Sequence, residues 1–225
     1  KTDNTLWAWG YGGEGQLAQN SVVQYSSPVQ IPGTTWGEVT SYGGWATVSV
    51  IKTDGTLWNW GNNDNGSAGQ NNTNDGYSSP VQVPGTTWKQ CDRGDNGGVV
   101  AVKTDGTLWS WGRNNAGQLG LNNRTDKSSP EQVGSGTDWV SAHSNRNNAC
   151  LALKTDGSLW SWGSGSEGLT GISKDAPSGG TVSSPVQIPG KWTNTTSAPA
   201  QNGVRPHQIG VQGSYSMALE YDLGG

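Results

Sequence analysis

One segment, whose residues differ between the internal repeats of this chain, carries side chains suited to recognition. Aromatic rings and guanidinium groups bind by stacking and by forked hydrogen bonds, and protein surfaces and glycans both accept such contacts. This mixture, with imidazole and amide groups added, is typical of binding hot spots. We therefore expect ligand binding at six residues: Tyr42, Trp45, Arg93, Asn96, His143 and Arg146. The alternative is that these positions lie in loops that have merely drifted.

Catalytic and metal-binding patterns are hard to find in the same sequence. The only histidines, His143 and His207, have no neighbouring motif with the spacing of a nucleophile or a metal-ligand set. An oxygen-rich run at 62–65 lacks the terminal glutamate of a calcium loop. We expect no catalytic residue, no metal and no cofactor, so the chain is not expected to be an enzyme.

The chain consists of four copies of a repeat, and the candidate residues lie in the same segment of the first three copies. The string KTD begins at Lys1, Lys52, Lys103 and Lys154, so the period is 51 residues. Each copy continues with LWxWG, a Gly/Asn-rich stretch, SSPxQ, a lone Trp and an apolar run. Because repeat units stack side by side, the variable segments should converge on one face, near the central axis of a ring.

The third copy predicts four short β-strands. Apolar residues at 99–103 and 108–111 flank Asp105-Gly106, which indicates a hairpin with a tight type I′ turn. The acids Asp3, Asp54 and Asp156 recur at this turn, so we assign them a structural role. Trp109 and Trp111 share one strand face, which we expect to be buried. Two more strands begin at SSPEQV and at Trp139, and no helical periodicity is present, so the repeat is typical of a propeller blade in an all-β fold.

These motifs, LWSWG with NNAGQLG, SSPEQV and a following W-V strand, resemble the repeat of the RCC1-like β-propeller family, named for the regulator of chromosome condensation. All four copies match, so residues 1–225 are expected to form a single domain. Copies two and four depart from GQLG, with GSAG at 66–69 and GLTG at 168–171, and their corners are expected to differ. The regular, Trp-rich, acidic repeat looks more like the family's bacterial and phage members than its nucleotide-exchange regulators.

The two ends of the chain correspond to the two strands of one hairpin of the repeat. Family propellers usually have seven blades, whereas this length holds four and a fraction. Residues 5–10 read as the second strand of a hairpin and residues 215–222 as the first strand of the same hairpin. We therefore expect these segments to pair and to close a four-bladed ring. Two chains forming an eight-bladed ring, and an excerpt of a longer array, are the alternatives.

Composition limits the classes of partner. Charged residues make up 13%, the net charge is -4 and no apolar run reaches the length of a membrane span, which argues against nucleic acid and membrane insertion. A disulfide between Cys91 and Cys150 is left open. We predict a non-catalytic module that presents a loop-built face to a protein or a glycan, within a larger assembly at an extracellular or virion surface. A structural spacer and a guanine-nucleotide exchange regulator of a small GTPase are the alternatives.

Overall fold

The expected all-β architecture is confirmed. The computed structural model describes residues 1–39, 47–145, 147–172, 180–190, 192, 209–212 and 215–218. These residues form sixteen β-strands and one 3-10 turn at Ser166–Gly168. Within the described ranges no helix is long and apolar enough to cross a membrane.

The strands are short and follow the repeat closely. In chain order they are β1 (Trp7–Gly10), β2 (Tyr25–Gln30), β3 (Trp36–Val39), β4 (Thr47–Lys52), β5 (Leu57–Gly61), β6 (Tyr77–Gln82), β7 (Trp88–Arg93), β8 (Gly98–Lys103), β9 (Leu108–Gly112), β10 (Lys127–Gln132), β11 (Trp139–Ser144), β12 (Ala149–Lys154), β13 (Leu159–Ser164), β14 (Thr181–Ile188), β15 (Ile209–Gln212) and β16 (Tyr215–Ala218).

Three four-stranded antiparallel blades make up the centre of the array. Blade II consists of β3 to β6, blade III of β7 to β10 and blade IV of β11 to β14, each with its strands paired in chain order. Two further strand pairs flank them, an N-terminal pair (β1 and β2) and a C-terminal pair (β15 and β16). Blades contact each other through their first two strands, because β7 lies against β4 of the preceding blade and β11 lies against β7 and β8.

The predicted pairing of the two chain ends is wrong for the described strands. The strands β1 and β2 form one two-stranded sheet and β15 and β16 form another, so β1 and β16 share no sheet within the described residues. Residues 219–222 of the predicted closing strand lie outside the described residues. The strand β15 contacts β11 and β12, as β11 contacts β7 and β8, so the C-terminal pair continues the array beside blade IV. A shared repeat phase shows that two strands are complementary, but closure depends on the rotation from blade to blade, which packing determines.

The Asp-Gly hairpin is confirmed, but its turn type differs from the prediction. In blade III the Gly106 N–H donates to Lys103 O at 3.0 Å, and Gly106 has a φ of 78°. Neither Thr104 nor Asp105 has a positive φ, whereas a type I′ turn needs positive φ at both central residues. One glycine in the left-handed region after an ordinary turn is therefore sufficient, as in hairpins with three-residue loops.

The expectation that both Trp of a pair are buried holds fully only for the second one. Trp60, Trp111 and Trp162 are completely buried, while Trp109 and its equivalents in blades II and IV are half-buried. Trp9, at the same repeat position in the N-terminal pair, is 61% exposed. The core therefore lies between blades, where the second Trp of one blade packs against the blade before it.

The Gly-rich corners bring neighbouring blades into backbone contact. An added Cβ on Gly66 would lie 2.5 Å from the Ser128 Cα of the next blade, and Asn71 N donates to Ser128 O at 2.7 Å. The departure from GQLG in copy two leaves this corner intact, because Gly66 and Gly69 keep positive φ values of 74° and 72°. The corner of copy four is also kept, because Gly168 and Gly171 have positive φ values of 73° and 60° and Gly171 N donates to Gly168 O at 2.9 Å, so the expected difference is limited to the 3-10 turn that leads into Gly168.

The two cysteines are reduced thiols in the interior. Cys91 packs in the core cluster between blades II and III, and Cys150 packs in the cluster between blades III and IV. The structure therefore contains no disulfide between them.

Candidate functional site

The variable segments follow the first strand of each blade, at the end opposite the KTD turns. In blade III the loop after β7 is residues 94–97, and in blade IV the loop after β11 is residues 145–148. We call this end of blades III and IV the loop face. Arg93, Asn96 and His143 lie at it, whereas Tyr42, Trp45 and Arg146 lie outside the described residues.

The two loops pack directly against each other. An added Cβ on Gly94 would lie 2.5 Å from Asn145 O and 2.8 Å from Ser144 Oγ. Only a glycine permits this approach, so the loop of blade III and the loop of blade IV form one continuous surface. Sequence comparison of the copies predicted that these segments converge, and Gly94 is the residue that makes their contact possible.

Arg93 ends β7 and is 6% exposed. Its Nε and Nη1 atoms are buried and have no hydrogen-bond partner among the described residues. Burial lowers the pKa of the guanidinium to about 10, and the nearby Asp95 carboxylate opposes this effect. Arg93 therefore carries a charge that its surroundings solvate poorly.

Asn96 lies half-buried in the turn that carries the loop from β7 to β8. Gly97 N donates to Gly94 O, and Gly94 N donates to Gly98 O, both at 3.0 Å, so the turn is held by its own backbone. Gly97 has a φ of 93°. Because the turn is closed in this way, the Asn96 side chain is carried on a defined backbone at the loop face.

His143 lies on β11 between two side chains of blade III. Its Nδ1 is 3.3 Å from Asp92 Oδ2, and its Nε2 is 3.3 Å from Gln90 Nε2. The neutral tautomer with hydrogen on Nδ1 donates to Asp92 and accepts from Gln90, which satisfies both ring nitrogens. This geometry makes His143 a brace between blades, although its side chain, 19% exposed, still contributes to the loop face.

Gln90 forms the centre of this brace. Its Nε2 donates to Ala142 O and its Oε1 accepts from Ala142 N, both at 3.0 Å, so the side-chain amide pairs with β11 as a strand would. Asp92 Oδ2 also accepts from Ser144 N at 3.3 Å. Sequence reasoning missed Gln90 and Asp92, because their partners lie about one repeat away and no local pattern reports them.

The oxygen-rich run at 62–65 serves a turn. Asn63 Oδ1 accepts from Ala68 N at 2.9 Å and Asn63 Nδ2 donates to Asn72 Oδ1 at 3.1 Å, while Asn62 Oδ1 accepts from Asp64 N at 3.1 Å. The side-chain amides of Asn62 and Asn63 are thus engaged in holding the corner. Among the described residues there is no group of three or more His, Cys, Asp or Glu side chains arranged to hold a metal ion.

Comparisons with known proteins agree with this architecture. Residues 105–147, which contain β9, β10 and β11, match the Regulator of chromosome condensation (RCC1) repeat. The chain is 31% identical over 173 residues to the Ultraviolet-B receptor UVR8 of Arabidopsis thaliana, covering 73% of this chain and 38% of the receptor. It is 30% identical over 135 residues to the mitochondrial RCC1 domain-containing protein RUG3 of the same plant, covering 59% and 30%.

Solved structures show the same fold. The crystal structure of human WBSCR16 superposes with a TM-score of 0.70 at 20% identity, covering 85% of this chain and 50% of that one. Yeast RCC1 (Prp20) bound to Kap60 gives a TM-score of 0.69 at 19% identity, covering 86% and 45%. By repeat and by fold the chain is therefore an RCC1-like β-propeller array, and it spans at most half the length of these relatives.

Proposed function

We propose that this RCC1-like array is a non-catalytic module that binds a protein through its loop face. The observation that carries the proposal is the contact of two variable loops on an otherwise repeated frame. Blades III and IV share their Trp positions and hairpin turns, yet one presents Arg93 and Asn96 where the other presents Ser144 and Asn147. A constant frame that carries different polar groups at one end is how scaffolds present binding residues.

Similar proteins support a protein partner more than a glycan. One yeast structure of the same fold is of RCC1 (Prp20) bound to Kap60, and another is of Prp20p, described with its binding to Gsp1p and histones. These contacts belong to those proteins, and at 18% and 19% identity the likeness is one of fold. The exchange-regulator alternative draws on this fold likeness alone.

The location of the module is a further part of the proposal. An extracellular or virion-surface setting, within a larger assembly, rests on the sequence resemblance to bacterial and phage appendage repeats. In such a setting the loop face is the binding surface, and the opposite end, with its repeated KTD turns, is left to packing.

The test compares two sets of substitutions at opposite ends of the blades. One variant carries Arg93→Lys and Asn96→Ala at the loop face, together with Arg146→Ala at the third arginine or amide position that the sequence predicts for binding. The matched control carries Thr53→Ala, Thr104→Ala and Thr155→Ala at the exposed KTD turns. Proteins captured from source-cell lysate are identified, and each is then produced pure and measured for its affinity to the three chains.

We expect the loop-face variant to lose at least about tenfold in affinity for a pure partner, since hot-spot side chains contribute about 1–4 kcal/mol each. The control should bind as the unaltered chain does. Equal binding by all three chains would overturn the proposal and favour the structural-spacer alternative. Selective binding on a glycan array, with no protein partner, would instead assign the face to a glycan.

A further inference from the structure

We propose that the notch beside Gly97 is a carboxylate-binding site, with Arg93 and Asn65 as its hydrogen-bond donors, and that its ligand is an aspartate or glutamate side chain of the protein partner. The identity of the ligand as a partner side chain rests on the proposed function. The existence of a carboxylate-binding site rests only on the geometry of the junction between blades II and III.

The first observation is the buried guanidinium. Arg93 is 6% exposed, and its Nε and Nη1 lack a partner among the described residues. A buried charge without hydrogen bonds is costly, and a carboxylate that accepts from a guanidinium edge removes that cost. The lowered pKa of Arg93, caused by burial, agrees with a charge that lacks solvation.

The second observation is the space that this group faces. An added Cβ on Gly97 would lie 3.5 Å from Asn65 Nδ2, 3.7 Å from Arg93 Nη2 and 3.7 Å from Arg113 Cβ. These are ordinary van der Waals distances, so an atom fits there without a clash. Two of the three nearest atoms are N–H donors, and they come from different blades. A ligand oxygen that approaches Gly97 from this side therefore faces Asn65 Nδ2 and Arg93 Nη2.

The residues of the notch are not repeated at the equivalent sequence positions of copies one and three. At the 51-residue spacing, Arg93 corresponds to Tyr42 and Ser144, and Asn65 corresponds to Glu14 and Ala116. Gly97 itself corresponds to Ala46 and Asn148, so neither of the other copies has a glycine at this position. Features shared by all blades are explained by packing, whereas this donor set is explained by a ligand.

The neighbouring charges favour a carboxylate over a phosphate. Asp95, half-buried on the same loop, is the carboxylate whose charge acts on Arg93. A doubly charged phosphate would be repelled by Asp95 more strongly than a singly charged carboxylate. The planar pair of carboxylate oxygens also matches the fork of a guanidinium edge.

The experiment titrates nitrogen-labelled protein with sodium acetate, and with sodium chloride at equal ionic strength, while NMR follows the Arg93 Nε–H and Gly97 N–H signals. We expect saturable shifts of both signals with acetate and none with chloride. Asn65→Ala should weaken acetate binding about tenfold or more, the effect of one hydrogen bond to a charged group. Arg93→Met should abolish the response at Gly97, and Arg124→Met, which removes an exposed arginine, should leave it unchanged.

A second arm identifies the source of the carboxylate with a hexaglutamate peptide and a hexalysine peptide. Saturable shifts of the same two signals with hexaglutamate alone support a partner side chain as the ligand. If acetate binds and hexaglutamate does not, the assignment to a partner side chain is overturned, and the notch is assigned to a small free carboxylate. Equal shifts with acetate and chloride, or an unchanged response in Asn65→Ala, overturn the site itself. Neither readout needs the protein partner, so failure of the carboxylate site can be distinguished from failure of the proposed function.

Discussion

The indole Nε1–H of Trp111 in blade III donates to the backbone carbonyl of Ser67 in blade II at 2.9 Å. The same bond joins Trp60 to Gln16 and Trp162 to Gln118. Each buried Trp therefore fills the junction with the preceding blade and also satisfies a carbonyl of that blade's Gly-rich corner. The Trp that recurs in the sequence repeat is therefore also the residue that packs each blade against the preceding one.

Truncation of Trp111 should destabilise the fold strongly. We expect Trp111→Ala to cost about 3–5 kcal/mol, because it leaves a cavity between two blades and removes the indole hydrogen bond to Ser67 O. Trp9→Ala is the matched control, since Trp9 holds the same repeat position but is 61% exposed, and it should cost less than about 1 kcal/mol. Urea unfolding of both variants measures this difference, and equal midpoints would contradict the assignment.

The Lys103 side chain should contribute through cation–π contacts. Its Nζ lies 4.6 Å from the Trp88 ring centroid and 4.3 Å from that of Trp109. We expect Lys103→Met to lose about 1 kcal/mol of stability and Lys103→Arg to lose less, because arginine keeps the charge over the rings. Thermal unfolding at matched ionic strength checks this. Equal losses in the two variants would show that the stem packs and the charge does not matter.

The Gln90 brace should protect the junction of β7 and β11. In Gln90→Leu, Ala142 loses the partners of both its N–H and its C=O, and each buried unpaired group costs about 1–3 kcal/mol. We expect faster amide hydrogen exchange at Ala142, with little change at Val99 inside blade III. The more conservative Gln90→Glu keeps the acceptor for Ala142 N and should exchange at an intermediate rate. Unaltered exchange in Gln90→Leu would disprove the brace.

The hairpin turns should make stability depend on pH in the acid range. The Thr107 hydroxyl, at 2.7 Å, and then its backbone N–H, at 3.0 Å, hold the pKa of Asp105 below its ordinary value of 3.8. Since the folded-state pKa is depressed, this turn stabilises the fold above the unfolded pKa, and the contribution is lost as pH falls through the folded pKa. The turns at Asp3, Asp54 and Asp156 follow the same rule.

We expect Asp105→Asn to be less stable than the unaltered chain near neutral pH, and to lose less stability on acidification. NMR titration of Thr107→Val should find the pKa of Asp105 moved up towards its ordinary value. Denaturation midpoints measured near neutral pH and below about pH 4 give the slope. Identical slopes for Asp105→Asn and the unaltered chain would argue against this role of the turn.

The cysteines should be chemically inert in the folded protein. Burial raises the pKa of the Cys150 thiol to about 12, and Cys91 is also fully buried. Because the thiolate is the reactive form, a disulfide-exchange reagent should not label the native protein. After unfolding in denaturant without reductant, both thiols should react. Rapid labelling of the native chain, or no labelling after unfolding, would contradict this expectation.

Much of the fold could be predicted from local pattern. The alternation in LWSWG and the turn at Asp105-Gly106 indicated the hairpin, because both signals lie within about ten residues. The turn type was mistaken, since only Gly106 has a positive φ. Of the candidate site, sequence comparison found Arg93 and His143 as variable positions. It missed Gln90, whose partner Ala142 is 52 residues away.

By itself, the sequence determined the repeat, the strand order within each blade and the Trp positions that recur at the core. These follow from alternation and from identity at a fixed spacing, which act over short stretches of chain. The tertiary structure decided which edges pair, how Gly94 meets Asn145, and that the Nε and Nη1 atoms of Arg93 are buried without a partner among the described residues. These depend on how far each blade turns relative to the last, and that angle is a result of side-chain packing between residues about one repeat apart.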